Sequence, residues 1–432
     1  MTTTHSLPPL PQPPLPLTPH LPVPAAPLVS FCIPTFNRAR YLESLLGSLC
    51  EQLEGFPYPF ELVIADNASP DATGALVQRF QARLPIRYLR HAENIGCFPN
   101  VQFVMMQAAG RYVVYLSDDD CILGEPVAQT IARMEADPGI AVVFAPWKLF
   151  DLVAQQEQGQ FYDVPHDLRI ERDQHGELLD HILRHHIFPE IHIARRDALQ
   201  RLMPRINEHA FYAFVHAADY LSVGAVLIQK APFYVSITRY FADEERSQAG
   251  NEEVEVAWDR YRGGLEYMLA RAGNQIAAEE RAGFALRIQK MIAVRMSVAV
   301  RLRHAKKRNP LDTYYIATRM KGMGYENLLP VPLATLASEA MLEFLLKDPV
   351  LNRGVKRLIT VGPFDAGARD YLRKHAPHPV SFADTLPSPT RLANTLVFVS
   401  DRVKTAEITD TMFEQGHLNM VRERDLVARF SL

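Results

Sequence analysis

The stretch of this sequence best suited to chemistry is the acidic triplet Asp118, Asp119 and Asp120. It follows the apolar run 112–116, which has the pattern of a buried parallel strand. Three adjacent carboxylates repel one another, and a divalent cation relieves this repulsion because hard cations take oxygen ligands. Open α/β sheets also bind ligands at the C-terminal ends of their strands. The triplet therefore indicates a metal and ligand site, with a solvated acidic turn as the alternative.

Two other apolar runs with the pattern of strands also end in polar segments. Residues 29–33 lead to Pro34-Thr35-Phe36-Asn37-Arg38, and residues 60–65 lead to Asp66-Asn67-Ala68-Ser69. Helical patterns separate the runs, and this alternation predicts a parallel sheet with right-handed crossovers. All three polar segments would then share one edge of the sheet. Taken singly, the last two can instead be read as a strand stop and a helix cap.

At a shared edge these side chains are suited to a nucleotide. The carboxylate of Asp66 can accept hydrogen bonds from a base or a ribose, and Asn37 and Arg38 can reach other polar atoms. A metal held by the triplet can bridge two phosphates.

Five motifs in this part of the chain occur in a characteristic order. They are Ile33-Pro34-Thr35-Phe36-Asn37-Arg38, Asp66-Asn67-Ala68-Ser69-Pro70-Asp71, Glu93-Asn94-Ile95-Gly96, Ala109-Gly110-Arg111-Tyr112 and Leu116-Ser117-Asp118-Asp119-Asp120. Together they resemble the family 2 glycosyltransferases of the GT-A fold. The acidic motif and the Asp-Asn-Ala-Ser turn are most similar to the abequosyltransferase-like branch, which builds bacterial O-antigen repeats. The resemblance covers residues 28 to 245.

The resemblance implies an inverting, single-displacement transfer from a nucleotide-diphosphate sugar. The residues implied to bind the donor are Pro34, Thr35 and Asn37 around the nucleotide, Asp66 at the base, Asn94 beside the nucleotide, and Asp118, Asp119 and Asp120 at the ribose and the pyrophosphate. The triplet would hold Mg²⁺ or Mn²⁺. Its two registers, Ser117-x-Asp119 and Asp118-x-Asp120, place the metal on Asp119 or on Asp120, and we favour Asp119.

The acceptor half carries a candidate base. In the resembled family an aspartate near this point takes the proton of the acceptor hydroxyl, and Asp219 is our candidate, at the predicted start of a helix whose N-terminus would keep it ionised. His216 is the second candidate, and a helix-surface role for Asp219 is the alternative. The segment 236–241 lacks the late histidine that often completes the family's metal site, and Arg239 there can neutralise the leaving diphosphate. We read residues 162–181 as an irregular acceptor loop and 242–251 as a lid or a plain loop.

Composition narrows the class of protein. The chain has 432 residues, so more than one domain is expected, and its net charge of −3 does not suggest a nucleic-acid partner. Its four cysteines form no CxxC pair, which favours a reducing compartment over a zinc site. No apolar run is long enough to span a membrane and the start does not resemble a signal peptide, so a cytoplasmic protein is predicted.

The pattern along the chain predicts four parts. They are a disordered proline-rich tail over residues 1–27, a GT-A domain over 28–250, a helical region over 251–353 and a small Rossmann-like α/β module over 354–432. Residues 281–308 carry nine Lys or Arg and no Asp or Glu. They can form either a basic amphipathic helix in peripheral contact with the inner membrane or an ordinary packed helix. The last module lacks a full GxGxxG motif, so we read it as structural or dimerising.

The sequence thus predicts an α/β glycosyltransferase of bacterial surface polysaccharide synthesis. Its donor would be a nucleotide-diphosphate sugar and its acceptor a hydroxyl of a glycan or of a lipid-linked glycan. A nucleotidyltransferase also uses clustered acids but fits the five motifs less well. A non-catalytic sugar-nucleotide-binding or scaffold protein is the third hypothesis, and the retained Asp66, the acidic triplet and Asp219 argue against it.

Overall fold

The computed structural model describes residues 21–24, 26–202, 209–242, 258–307, 309–385, 392, 394–403 and 419–430. Most of the predicted tail and all of the predicted lid except Ala242 lie outside the described residues. The chain divides into two units, Met1–Ser247 with Gly263–Phe284, and Gln248–Arg262 with Ala285–Leu432. The four-part division drawn from the sequence stays a prediction.

Strands and helices alternate at the start of the first unit. They are β1 (Val29–Thr35), α1 (Ala39–Gln52), β2 (Phe60–Asp66), α2 (Thr73–Phe80), β3 (Ile86–Arg90), α3 (Cys97–Met106) and β4 (Tyr112–Tyr115). The predicted order of elements is confirmed over this stretch. In α1 the side chains of Leu42, Leu45, Leu46 and Leu49 are all buried, because their helical spacing puts them on one face of the helix.

The remaining elements of the first unit are more mixed. They are β5 (Cys121–Ile122), α4 (Gly124–Ala136), β6 (Ile140–Phe144), β7 (Trp147–Asp151), β8 (Gln156–Gln160), β9 (Leu168–Ile170), α5 (His175–His185), β10 (His192–Arg195), α6 (Arg196–Arg201), α7 (Tyr212–Val223), β11 (Ala225–Ile228) and β12 (Tyr234–Arg239). The irregular loop predicted over residues 162–181 is therefore wrong in part. The buried Leu168 and Ile170 give β9 an inner face, and α5 buries Leu178, Leu179 and Ile182.

The central sheet has eight strands in the order β3-β2-β1-β4-β10-β6-β11-β9. Strands β3, β2, β1 and β4 are parallel, whereas β10 is antiparallel to both β4 and β6. A second sheet has the order β5-β12-β7-β8. Because β1, β2 and β4 run the same way, the segments that follow them leave the sheet at one edge. The predicted mainly parallel α/β fold is confirmed.

The second unit combines helices with a smaller sheet. Two helices are divided between the units: α8 (Trp258–Ala272) begins in the second unit and ends in the first, and α9 (Arg281–Ala305) begins in the first and continues in the second. The other elements of the second unit are α10 (Pro310–Gly322), α11 (Leu333–Lys347), β13 (Arg357–Val361), α12 (Ala366–His375), β14 (Val380–Ala383), β15 (Thr395–Val399), β16 (Asn419–Arg422) and α13 (Glu423–Arg429). The four strands are parallel in the order β14-β13-β15-β16. This arrangement has the strand–helix alternation expected of a Rossmann-like module.

The basic helix α9 buries much of its apolar stripe. Ile288, Met291, Ile292 and Met296 are each at most 1% exposed. Arg303 is also buried and donates to the hydroxyl of Thr313 over 3.2 Å. Packing inside the protein therefore accounts for these residues, and a peripheral membrane contact stays a prediction. In the part of the chain that the structure describes, no helix is both long and apolar enough to cross a bilayer.

Candidate active site

The loops that follow β1 and β2 are joined to each other at the edge of the sheet. The backbone N–H of Asn37 donates to Ser69 Oγ over 2.8 Å, and that of Ala39 donates to Asp71 Oδ2 over 2.9 Å. Asn37 adopts a φ of 54°, a left-handed conformation that asparagine tolerates better than most residues. Pro34, Thr35, Asn37 and Arg38 are thereby held beside the turn that begins at Asp66.

Asp66 is completely buried at the end of β2. Its Oδ1 accepts a hydrogen bond from the backbone N–H of Ser69 over 2.8 Å, and its Oδ2 accepts one from the hydroxyl of Tyr88 and lies 3.7 Å from Arg90 Nε. These contacts balance its charge and shape the turn. The predicted helix cap in the Asp66–Ser69 turn is wrong, because α2 begins at Thr73 and the nearby Asp71 bonds to the Thr73 backbone N–H over 3.1 Å.

Asn94 reaches the same edge through Asn67. Asn94 Oδ1 accepts hydrogen bonds from Asn67 Nδ2 and from the Gly96 backbone N–H, each over 2.8 Å. Asn67 also accepts from the backbone N–H of Ile95 over 2.8 Å. The structure thus brings Asn94 to the predicted nucleotide pocket, and it adds Asn67 as the residue that holds it there. The signal for Asn67 was present in the Asp-Asn-Ala-Ser turn.

Arg38 lies against the first two carboxylates of the triplet. Its Nη1 is 3.4 Å from Asp118 Oδ1 and also bonds to Asp119 Oδ2. Both aspartate side chains are less than 10% exposed. Burial by itself would lower the pKa of Arg38, but Asp118 and Asp119 outweigh burial and raise it. The guanidinium therefore stays charged and offsets the negative charge of the two carboxylates.

The third carboxylate is held by the second sheet. Asp120 Oδ2 accepts a hydrogen bond from the hydroxyl of Tyr234, and Oδ1 accepts one from the backbone N–H of Ile237, each over 2.9 Å. Asp119 Oδ1 accepts from the hydroxyl of Ser117, two residues earlier, over 2.5 Å. Asp120 thus joins the triplet to β12, and this favours the Ser117-x-Asp119 register for a metal.

The described residues contain no group of three or more His, Cys, Asp or Glu side chains arranged to hold a metal ion. Asp118 and Asp119 do fit a divalent cation in part. Their oxygens are buried and can act as metal ligands. The positive charge of Arg38 balances them in this structure. Because Mg²⁺ and Mn²⁺ take about six oxygen ligands, a bound diphosphate and water would have to supply the rest.

The structural part played by Asp120 gives a first prediction. Asp120→Ala removes the acceptor of two hydrogen bonds, one from the Tyr234 hydroxyl and one from the Ile237 N–H. The variant is expected to lower the free energy of unfolding by about 1–3 kcal/mol for each of these bonds. Urea denaturation followed by circular dichroism measures this. The exposed Asp163→Ala is the matched control. Equal midpoints for the two variants would show that Asp120 does not hold the sheets together.

Arg239 is paired with a neighbouring strand. It is the last residue of β12, and its Nη1 lies 3.6 Å from Asp151 Oδ2 at the end of β7. The Arg239 side chain is 54% exposed, whereas that of Asp151 is 5% exposed. The structure thus gives Arg239 a carboxylate partner of its own, and its predicted contact with a leaving diphosphate stays a prediction.

The placement of Asp219 at a helix N-terminus is wrong. Helix α7 begins at Tyr212, so Asp219 lies in its second half and gains nothing from the positive end of the helix dipole. The helix starts early because Ala213, Phe214 and Val215 extend its buried face. Asp219 is 8% exposed, and its Oδ1 accepts a hydrogen bond from the hydroxyl of Tyr267 over 2.7 Å.

The fold and the site define a class of protein. A mainly parallel sheet carries polar loops and a buried acidic triplet at one edge, and this arrangement is that of the GT-A fold. Residues 30–203 match the family model described as Glycosyl transferase family 2. This part of the chain is therefore a glycosyltransferase domain of family 2.

Two relatives show what the chain is similar to. It is 39% identical to an abequosyltransferase of Salmonella typhimurium over 114 residues, which are 26% of this chain and 34% of that protein. It is 31% identical to a poly(ribitol-phosphate) β-N-acetylglucosaminyltransferase of Staphylococcus aureus over 108 residues, which are 24% of this chain and 18% of that protein. The alignments thus span about a third of the first relative and less than a fifth of the second.

Among solved structures, the chain is similar to Staphylococcus aureus TarS in complex with UDP. The identity is 17%, the TM-score is 0.47, and the match covers 74% of this chain and 85% of that chain.

Proposed function

We propose that this protein transfers a sugar from a nucleotide-diphosphate sugar to a hydroxyl of a glycan or a lipid-linked glycan during bacterial surface polysaccharide synthesis. The observation that carries the proposal is the meeting of three chain segments at one edge of the sheet. The loop after β1 contacts the turn after β2 through Asn37 and Ser69, and it contacts the acidic triplet through Arg38. The family 2 domain adds support.

The donor would lie along this edge. Pro34, Thr35 and Asn37 would contact the nucleotide, Asp66 would bind its base, and Asn94 would lie beside the nucleotide. Thr35 supports this placement, because its Oγ1 is buried and has no hydrogen-bond partner among the residues that the structure describes. A bound nucleotide would give that hydroxyl a partner.

The diphosphate would lie at Asp118, Asp119 and Arg38. Asp118 would be placed for the ribose, and Asp119 would be the main ligand of Mg²⁺ or Mn²⁺. When bound, such an ion neutralises charge on the diphosphate as it leaves. Arg38 is next to both carboxylates and would change partners from Asp119 to a phosphate oxygen once the ion takes over its place.

An inverting transfer requires the acceptor hydroxyl to attack from the side opposite the diphosphate. A base must therefore lie on the acceptor side of the site, away from the triplet. Asp219 is the candidate for this base. One oxygen of its carboxylate already accepts a hydrogen bond from the hydroxyl of Tyr267. The cytoplasmic location and the peripheral contact with the inner membrane belong to the same proposal.

A screen of donors tests the function. The full chain is incubated with UDP-, GDP-, CDP- and dTDP-sugars in the presence of Mg²⁺ or Mn²⁺, with methyl glycosides as acceptors. Release of a nucleotide diphosphate with one donor class is expected, and excess chelator is expected to stop it. Release of pyrophosphate would instead support a nucleotidyltransferase, and no release with any donor would favour a binding or scaffold protein.

A further inference from the structure

The backbone of Arg38 is fixed beside the acidic triplet, directly before α1. Its carbonyl oxygen accepts hydrogen bonds from the backbone N–H groups of Tyr41 and Leu42, each over 3.0 Å. The flanking residues Asn37 and Ala39 donate their own backbone N–H groups to the segment between β2 and α2. Any change of partner by Arg38 is therefore made by its side chain and not by its backbone.

The Arg38 side chain bridges two carboxylates of the triplet through a single nitrogen. This atom, Nη1, lies 3.4 Å from Asp118 Oδ1 and also bonds to Asp119 Oδ2. The other oxygen of Asp119 accepts a hydrogen bond from Ser117 Oγ over 2.5 Å. Both oxygens of Asp119 are thus engaged in this structure, and the oxygen that Arg38 holds becomes available to a metal ion only when Arg38 leaves it.

Arg38 leaves this position at a cost unless it gains another anion. The side chains of Asp118 and Asp119 are 7% and 4% exposed, and that of Arg38 is 22% exposed. Charges this far from water lose more on separation than surface charges do. A divalent cation that arrives alone also repels the guanidinium that it displaces, because both are positively charged. The two carboxylates are therefore a poor site for a metal ion by itself.

A diphosphate removes both obstacles. Its oxygens offer the guanidinium the bidentate, charge-assisted hydrogen bonds that arginine forms with phosphate. Its negative charge also balances the guanidinium and a divalent cation together. Because part of the Arg38 side chain is exposed, the side chain can turn to such a ligand while the start of α1 stays in place.

We propose that Arg38 makes the binding of the divalent cation conditional on the nucleotide diphosphate. This inference rests on the glycosyl transfer proposed above and on the metal role of Asp119 within it. Without nucleotide, Arg38 holds Asp119 and excludes the ion. With the diphosphate bound, Arg38 turns to the phosphate oxygens and leaves Asp119 available as a ligand. The ion and the nucleotide then bind cooperatively, and each raises the affinity of the other by the same factor.

Binding of Mn²⁺ to the full wild-type chain is the first test. Free Mn²⁺ is measured by electron paramagnetic resonance, without nucleotide and then with UDP, GDP, CDP and dTDP in turn. The nucleotide that binds is expected to tighten Mn²⁺ binding by about 5–150-fold, the usual range for coupling between two ligands. Equal affinity for Mn²⁺ with and without that nucleotide would overturn the inference.

Arg38→Met separates the effect of Arg38 from the direct contact between metal and phosphate. The variant removes the charge and keeps most of the apolar stem of the side chain. Without nucleotide it is expected to bind Mn²⁺ about 5–150-fold more tightly than the wild type does, so that the nucleotide adds less. If the coupling came from metal–phosphate contact alone, the nucleotide-free affinity of the variant would equal that of the wild type, and the inference would fail.

Melting curves test the same point without any nucleotide. Arg38→Met leaves two buried carboxylates without this partner, so it is expected to melt at a lower temperature than the wild type. A ligand that binds only the folded state raises the melting temperature. Added Mn²⁺ is expected to restore much of the loss in the variant and to leave the wild type unchanged, and equal shifts in both would contradict the proposal. Arg38→Gln gives the same comparison if Arg38→Met does not fold.

Arg40→Ala is the matched control. Arg40 is exposed, lies two residues from Arg38, and places its guanidinium carbon 3.3 Å from the centre of the Phe241 ring. The variant is expected to keep the wild-type affinity for Mn²⁺ and its response to nucleotide. A gain in Mn²⁺ binding as large as that of Arg38→Met would mean that nearby positive charge in general excludes the ion, which would overturn the role of the contact with Asp119.

The same measurements distinguish this inference from the proposed function. A wild-type chain that binds none of the four nucleotide diphosphates, with or without Mn²⁺, would defeat the proposed function. A chain that binds a nucleotide and Mn²⁺ independently of each other would defeat only the role given to Arg38.

Discussion

Asp119→Ala is expected to abolish sugar transfer and to weaken the binding of nucleotide diphosphate with metal, while the fold remains intact. Asp119 contacts Arg38 and the Ser117 hydroxyl, whereas Asp120 carries the bonds to Tyr234 and Ile237 of the second sheet. In the proposed site, its loss would remove a charged metal ligand at the point where the diphosphate departs. Removing one such group from an active site typically costs about 10²–10³-fold in turnover, and we expect at least this loss.

Thermal stability separates this prediction from simple unfolding. From the sequence alone, removal of one carboxylate is expected to relieve repulsion and to raise the melting temperature without metal. In the structure Arg38 already offsets that repulsion by contacting both Asp118 and Asp119, and Asp119 is itself the buried partner of this ion pair. We therefore expect Asp119→Ala to lower the melting temperature while the fold persists at the assay temperature. The measurements are turnover, calorimetry with Mn²⁺ and a melting curve, with Asp163→Ala as the control. Full activity of Asp119→Ala, or of the wild type in excess chelator, would refute the metal role.

Glu61→Ala is expected to destabilise the protein more than any other single change considered. Glu61 is 1% exposed on β2, and its Oε1 accepts hydrogen bonds from Ser30 Oγ over 2.6 Å and from the Ala109 backbone N–H over 2.8 Å. Arg87 Nε lies 3.0 Å from its other oxygen. Removing one partner of a buried, hydrogen-bonded ion pair typically costs about 3–5 kcal/mol. Because the Ser30 hydroxyl stays buried without this acceptor, whereas Arg87 is 32% exposed and keeps its bond to the Gln107 carbonyl, we expect the lower end of that range.

An exposed ion pair provides the matched control. Glu43 lies 2.8 Å from Arg79, and both side chains are more than half exposed. Glu43→Ala is therefore expected to cost about 1 kcal/mol or less, as surface ion pairs usually do. Chemical denaturation of both variants measures the difference in unfolding free energy. Similar losses in the two variants would mean that Glu61 contributes no more than a surface charge.

Local patterns in the sequence were enough to predict the first half of the fold. Strand β1 reads as an apolar run, α1 carries leucines at helical spacing, and each is buried as expected. Both signals depend on residues close together in the chain, which is why they can be recognised without a structure. The same holds for the acidic triplet, since a parallel strand delivers whatever follows it to the C-terminal edge of the sheet.

Contacts between distant residues were decided only by the tertiary structure. Arg38 meets Asp118 across 80 positions, and Asp120 meets Ile237 across 117. The local sequence allows a metal on either Asp119 or Asp120, in two registers. The structural difference between them arises because β12 pairs with β5 and offers the Ile237 N–H to Asp120.

On the acceptor side, the difference between what the sequence predicts and what the tertiary structure decides is clearest. The apolar residues after Asp219 suggested that a helix starts there. In the structure α7 already begins at Tyr212, because residues before Asp219 are also buried in the helix. His192 belongs to a short buried strand and His216 to that helix, and each alone has the pattern of an ordinary core histidine. The sequence determined which side chains are available for chemistry. Only the tertiary structure decided that His192 and His216 line the same cavity between α3, α6 and α7, because its wall is formed by residues far apart in the chain.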